Sequence, residues 1–112
     1  MLQIKQQMAV EKLTDSDFEA ALAGNEKVII KFFADWCGSC KLISPKFNRL
    51  SGDERFAGVR FVEVNAEENQ VARKKAGVSN LPFFATFKNG VLMEAYPTSK
   101  EEAIVGMLTN LN

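Results

Sequence analysis

The sequence predicts an α/β fold, a central mixed β-sheet flanked by helices on both faces, and three observations lead to it. Strand-patterned and helix-patterned segments alternate through most of the chain. "KVIIKFFA" (27–34) is β-branched and aromatic with little alternation, the mark of a central strand buried on both faces. Near the C-terminal end, Asn89-Gly90 separates the apolar runs "PFFATF" and "VLMEAY", a strong hairpin signal. Strands alternating with helices imply right-handed crossovers and parallel neighbours, and the hairpin adds antiparallel ones, so the sheet is mixed.

Taken in order, "MLQIKQQ" (1–7) carries no clear period and reads as a flexible N-terminal extension, leaving one domain over 8–112. "MAVEKL" (8–13) suits a short strand. "TDSDFEAALAG" reads as a helix, because Thr14 and Asp17 approximate a capping box, Phe18, Ala21 and Leu22 share a face, and Gly24 can end it. After the central strand the pattern from Cys37 to about Leu50 is helical, with Ile43, Phe47 and Leu50 on one side. Pro45 removes one backbone donor inside that helix and should bend it. "VRFVEVNA" (59–66) is the next strand, and "EENQVARKKAG" (67–77) a polar helix stopped by Gly77. Beyond the hairpin, Ser99 and Glu102 form a capping-box pattern ahead of the stripe Ile104, Met107, Leu108, Leu111.

Composition excludes several functions. The 112 residues suffice for a single core. Fourteen basic residues balance fourteen acidic ones, so no electrostatic footprint for nucleic acid or an anionic membrane is present. No apolar run approaches the roughly 20 residues of a membrane span, and the start has no apolar core of signal-peptide length. A cytoplasmic protein is expected, where a disulfide is transient rather than structural. A monomer is expected too.

The chemistry concentrates in "ADWCGSCK" (34–41), which holds the chain's only cysteines, Cys37 and Cys40. A mononuclear zinc site needs four ligands, and this chain offers two cysteines and no histidine, so no metal is expected. As a purely structural bridge the pair closes too short a loop to remove much unfolded-state entropy. Inert burial suits free cysteines in general but leaves the neighbouring Trp, Gly and Lys unexplained. A redox pair accounts for all of them. A strand ending at Trp36 and a helix beginning at Cys37 put one thiol where exposed N–H groups and the macrodipole favour a thiolate. Cys40, one turn inside, lies close enough to close a disulfide yet is shielded, while Cys37 is expected to face solvent. Gly38 and Ser39 keep the link small.

The motifs "FFADWCGSCK", then Pro45, then "NLPFFATFKNG" resemble the thioredoxin family, and the likeness covers residues 9–111 in element order. The resemblance implies a thioredoxin fold and thiol–disulfide exchange, with no bound cofactor beyond the redox-active Cys37–Cys40 disulfide. By position, Cys37 resembles the attacking thiol and Cys40 the resolving one. Trp36 resembles the tryptophan flanking the site, and Pro82 the cis-proline packed against the disulfide. Trp36 and Pro82 would give partners a flat apolar surface, and partner backbone can pair with the chain around Leu81. The implied partners are disulfide-containing proteins and an electron donor resembling thioredoxin reductase.

Four features depart from the family pattern. Ser39 replaces the usual proline between the cysteines. Lys31 stands where the family has a buried aspartate beneath the second cysteine, and Glu63 where it typically has that aspartate's lysine partner. A charge pair turned around is the simplest reading, with Glu63 the candidate for proton transfer and Lys31 tuning the field; the alternative is that Lys31 snorkels to solvent. Finally, Tyr96 and Phe83 bring aromatic bulk where the family has small residues, which should reshape the partner groove. The sequence thus points to a thiol–disulfide oxidoreductase reducing protein disulfides. A binding or scaffold module of the same fold with little turnover, or a disulfide isomerase or oxidase, are the alternatives.

Overall fold

A computed structural model describes residues 10–112. The expected extension (1–7) and the first residues of the expected strand at 8–13 lie outside the described residues. Strand β1 (Glu11–Leu13) is followed by α1 (Asp15–Gly24), β2 (Lys27–Phe33), α2 (Gly38–Ser51), β3 (Val59–Asn65), α3 (Gln70–Ala76), β4 (Phe83–Lys88), β5 (Val91–Pro97) and α4 (Glu101–Thr109). The strands form one five-stranded sheet in the order β1-β3-β2-β4-β5. The pairs β1·β3 and β2·β3 are parallel, whereas β2·β4 and β4·β5 are antiparallel. The sheet is mixed, as alternation plus a hairpin requires.

β2 sits in the middle and is buried on both faces because its pleat sorts its residues. Val28, Ile30 and Phe32 join a core with Phe18 and Leu22 of α1 and with Ala72 and Ala76 of α3. Ile29 joins the opposite core, with Ile43 and Phe47 of α2 and Ile104 and Leu108 of α4. Phe47 anchors that second layer, its ring centroid 5.2 Å from Phe61 and 5.4 Å from Phe84. Helices thus cover both faces, and period-two alternation puts Lys31 on the α2 side.

The local signals hold with some shifts. Asp17 Oδ2 accepts the Thr14 N–H at 3.5 Å, as the capping pattern anticipates, and the Thr14 hydroxyl donates to the same oxygen at 3.2 Å. Asn89 (φ 53°) and Gly90 (φ 81°) both adopt left-handed backbone, the requirement of a tight two-residue hairpin turn. Gly77 (φ 70°) ends α3 in the same region. The Ser99–Glu102 capping box does not form: Lys100 is the N-cap, one residue later, and its N–H goes to Thr98 Oγ1 at 3.1 Å.

Residues 67–69 are likewise not helical, and α3 begins only at Gln70. The cause is a cap supplied from another helix. Asp15 of α1 accepts the N–H of Val71 (3.1 Å) and of Ala72 (2.9 Å), while Asn69 Oδ1 accepts the N–H of Asp15 at 2.8 Å. The two helix starts therefore cap one another across the sheet face. Asp15→Ala should destabilise the protein by about 1–2 kcal/mol, the worth of a cap whose donors are left open. Urea midpoints at unchanged slope measure it, and a change under about 0.5 kcal/mol would show that the cross-cap is dispensable.

Candidate functional site

β2 delivers the chain to the site. After Phe33 it turns at Asp35 and Trp36, both exposed, and enters α2 with Cys37 as the N-cap. Cys37 Sγ accepts the N–H of Cys40 at 3.1 Å, so the sulfur does the work of a capping side chain. The two cysteines form a disulfide across a Cα–Cα distance of 5.3 Å. Pairing is thus a property of the fold, not only of the spacing. One expectation is corrected here. In the disulfide form Cys37 does not face solvent: it is 3% exposed, nearly as buried as Cys40 at 2%. Both sulfur-bearing residues pack with Ala34, against Phe33 and Leu81. What separates them is position, one at the cap and the other a turn within.

Trp36, Gly38, Ser39 and Tyr96 are exposed and Leu81 is half-buried, whereas Pro82 and Phe83, also expected to give partners surface, are buried. Trp36 is 67% exposed, and its indole N–H donates to Glu67 Oε2 at 2.7 Å. Gly38 and Ser39 are exposed beside it. The Leu81–Pro82 peptide is cis, Pro82 is buried, and its carbonyl accepts the N–H of Thr98 at 3.2 Å. Leu81 is half-buried and touches the disulfide's surroundings. Tyr96 stands exposed on the outer strand β5 opposite Phe84, and burial together with the nearby Glu94 pushes its phenol above the ordinary value. Phe83 departs furthest from the expectation. It is 3% exposed and packs edge-on against Phe32, so it belongs to the core rather than to a groove. The pleat explains it: Phe83 shares its face with Ala85 and Phe87, which point to the α1/α3 side.

Beneath the pair, Lys31 and Glu63 meet. Their positions are directly paired between β2 and β3, and Lys31 Nζ lies 3.1 Å from Glu63 Oε1. Lys31 is 3% exposed and Glu63 25%. The ammonium is therefore not snorkelling. It also donates to Ser44 Oγ and lies 5.7 Å and 5.8 Å from the ring centroids of Phe33 and Phe47, so three kinds of partner offset its lost hydration. A cavity of about 190 Å³ connects this pair with the active turn, lined by Lys31, Glu63, Ser44 and Cys40, with Lys12 and Asp35 among its other residues. Two contributors escaped sequence reasoning. Glu67 lies 31 residues from Trp36, and no local signal links them. Ser44 had one: it is four residues after Cys40, on the same side of the helix.

Among the described residues, no group of three or more His, Cys, Asp or Glu side chains gathers as a metal site, and no helix is long and apolar enough to cross a membrane. What the geometry can do is exchange a disulfide. A sulfur at a helix N-cap, a second one turn on, and a cis-proline loop beside them make a thiol–disulfide exchange centre on a mixed sheet. Comparison with known proteins agrees. Residues 9–110 match the thioredoxin family model. A thioredoxin of Aspergillus fumigatus is 39% identical over 101 residues, covering 85% of this chain and 92% of that one. The thioredoxin of Gallus gallus is 30% identical over 103 residues, covering 92% and 96%. The crystal structure of Malassezia sympodialis thioredoxin superposes with a TM-score of 0.86 at 25% identity, over 97% of this chain and 96% of that one. The chain belongs to the thioredoxin family. It is a thiol–disulfide oxidoreductase with protein-disulfide reductase activity, and Cys37–Cys40 is its redox-active disulfide.

Proposed function

We propose that Cys37 is the attacking thiol, Cys40 the resolving one, and Glu63 the proton acceptor for Cys40. The observation that carries the assignment is the N–H of Cys40 directed at Cys37 Sγ at 3.1 Å, at the positive end of α2. Once the disulfide is reduced, that N–H and the helix terminus stabilise a thiolate on Cys37 in preference to Cys40. The Cys37 thiolate attacks one sulfur of a substrate disulfide. A mixed disulfide forms, the substrate S–S bond breaks, and the first substrate thiolate leaves to be protonated by solvent. Cys40 then gives its proton to Glu63 across the shared cavity and attacks Cys37 Sγ. The second substrate thiolate leaves, two electrons have passed to the substrate, and the Cys37–Cys40 disulfide is restored.

In this reading Lys31 holds Glu63 in place and sets the local field. Trp36, Leu81 and Tyr96 offer partners surface, the buried cis-Pro82 shapes the loop that presents Leu81, and Gly38 and Ser39 let a partner chain approach closely. The protein works as a cytoplasmic monomer in electron transport and redox homeostasis, serving disulfide-containing proteins. A donor of the thioredoxin-reductase type recycles it, and no further cofactor takes part. Reduction of insulin with dithiothreitol as donor tests the reading. Acceleration over dithiothreitol alone, lost in Cys37→Ser, is expected; binding of partners without acceleration would identify a scaffold module instead.

A further inference from the structure

Between the buried ion pair and the active turn stands one side chain that the reaction scheme leaves unused, Ser44. We infer that Ser44 is a positioning residue for Cys40, active at the mixed-disulfide stage; the inference rests on the assignment of Cys40 as the resolving thiol. The direction of its hydrogen bonds is fixed by chemistry. An ammonium only donates, so Ser44 Oγ accepts from Lys31 Nζ. The hydroxyl proton is then left for the Cys40 carbonyl, which Ser44 Oγ reaches at 2.9 Å. The chain runs Lys31 to Ser44 to Cys40, from a cation on the central strand to the backbone of the resolving residue.

A serine bonding back to the carbonyl four residues earlier is common in helices and by itself decides nothing. Here two further features give it a task. Its acceptor side is held by a buried cation from a different element. The next residue is Pro45, inside the helix, which has no N–H to offer the carbonyl of Lys41. The turn that carries Cys40 is thus short of one helical bond at the point where Ser44 ties it to β2.

In the oxidised protein the disulfide itself holds that turn. In the mixed disulfide this cross-link is open, and at that moment Cys40 must be aimed at Cys37. Ser44 and Lys31 then supply the restraint.

Stopped-flow reaction of the reduced protein with dithiobis(nitrobenzoate) separates the steps. The first coloured thionitrobenzoate reports attack by Cys37, and the second reports resolution by Cys40. Ser44→Ala should leave the first phase at the parent rate and slow the second roughly tenfold, the worth of a hydrogen bond to a charged group. Ser44→Thr keeps the hydroxyl and should restore the second phase. Lys31→Met removes the donor that orients the hydroxyl, so it should slow the second phase, and adding Ser44→Ala to it should slow it no further. A second phase at the parent rate in Ser44→Ala, with only the urea midpoint changed, would reduce Ser44 to a structural residue. A second phase that survives Cys40→Ser would overturn the resolving role itself, a different failure.

Discussion

Cys40→Ser is expected to turn the protein into a trap that accumulates mixed disulfides with its partners, whereas Cys37→Ser accumulates none. Both cysteines are almost wholly buried in the disulfide form, so exposure does not distinguish them. The helix does. Cys37 is the cap and receives the N–H of Cys40, while its neighbours Trp36, Gly38 and Ser39 are exposed and open to a partner. Cys40 lies one turn in, facing a cavity that it shares with Lys31, Ser44 and Glu63. On the proposed assignment a partner disulfide is expected to reach Cys37, and the bond it forms to be broken from within only by Cys40. Either substitution should lower turnover by on the order of 10³-fold or more, because each removes a nucleophile from a two-step exchange. Only Cys40→Ser leaves the first step intact. Partners retained on an immobilised variant and released by dithiothreitol give the comparison. Equal trapping by both variants would overturn the order of attack.

Much of this site was legible because it is local. Cys37 and Cys40 are three residues apart, and a buried strand running into a helix places them at an N-terminus without any knowledge of the rest of the fold. β2 announced its central position by lacking alternation, and Asn89-Gly90 its turn by the residues that tolerate left-handed backbone. Lys31 and Glu63 were legible only as a departure from a family pattern. Their meeting depends on the parallel register of β2 and β3, which pairs them directly. Phe83 was misplaced for the same kind of reason. Its face follows from where β4 begins after Pro82, and a one-residue change in that start sends every side chain to the other side. The α3 boundary failed because Asp15, more than fifty residues earlier, supplies the cap. Residues whose roles depend on contacts across the sheet leave no trace in a short window of sequence.

Glu63→Gln should cost far more stability than Lys31→Met, although each removes one half of the same ion pair. The asymmetry follows from burial: Lys31 is 3% exposed and Glu63 25%. The glutamine amide can still accept a hydrogen bond, but it leaves the buried ammonium without a counter-charge, beside Ser44 and two aromatic rings. Breaking a buried pair in this way costs about 3–5 kcal/mol, and the cavity behind Cys40 brings the expected value to the lower end, about 3 kcal/mol. Removing the ammonium instead leaves a carboxylate that can turn to water, and methionine fills the space against Phe33 and Phe47 with apolar atoms. That change should stay within about 1 kcal/mol of the parent. Lys31→Asp is worse than either, since it places a second carboxylate beside Glu63 and buries it. Combining it with Glu63→Lys restores opposite charges at the paired positions and should recover most of the loss. Urea midpoints of the parent, both exchanges and the double exchange measure the coupling. Small, additive effects across that cycle would mean that the pair contributes neither stability nor a coupled proton acceptor. A large coupling in stability with an unchanged resolution rate for Glu63→Gln would keep the pair as a structural device and send the Cys40 proton to cavity water instead.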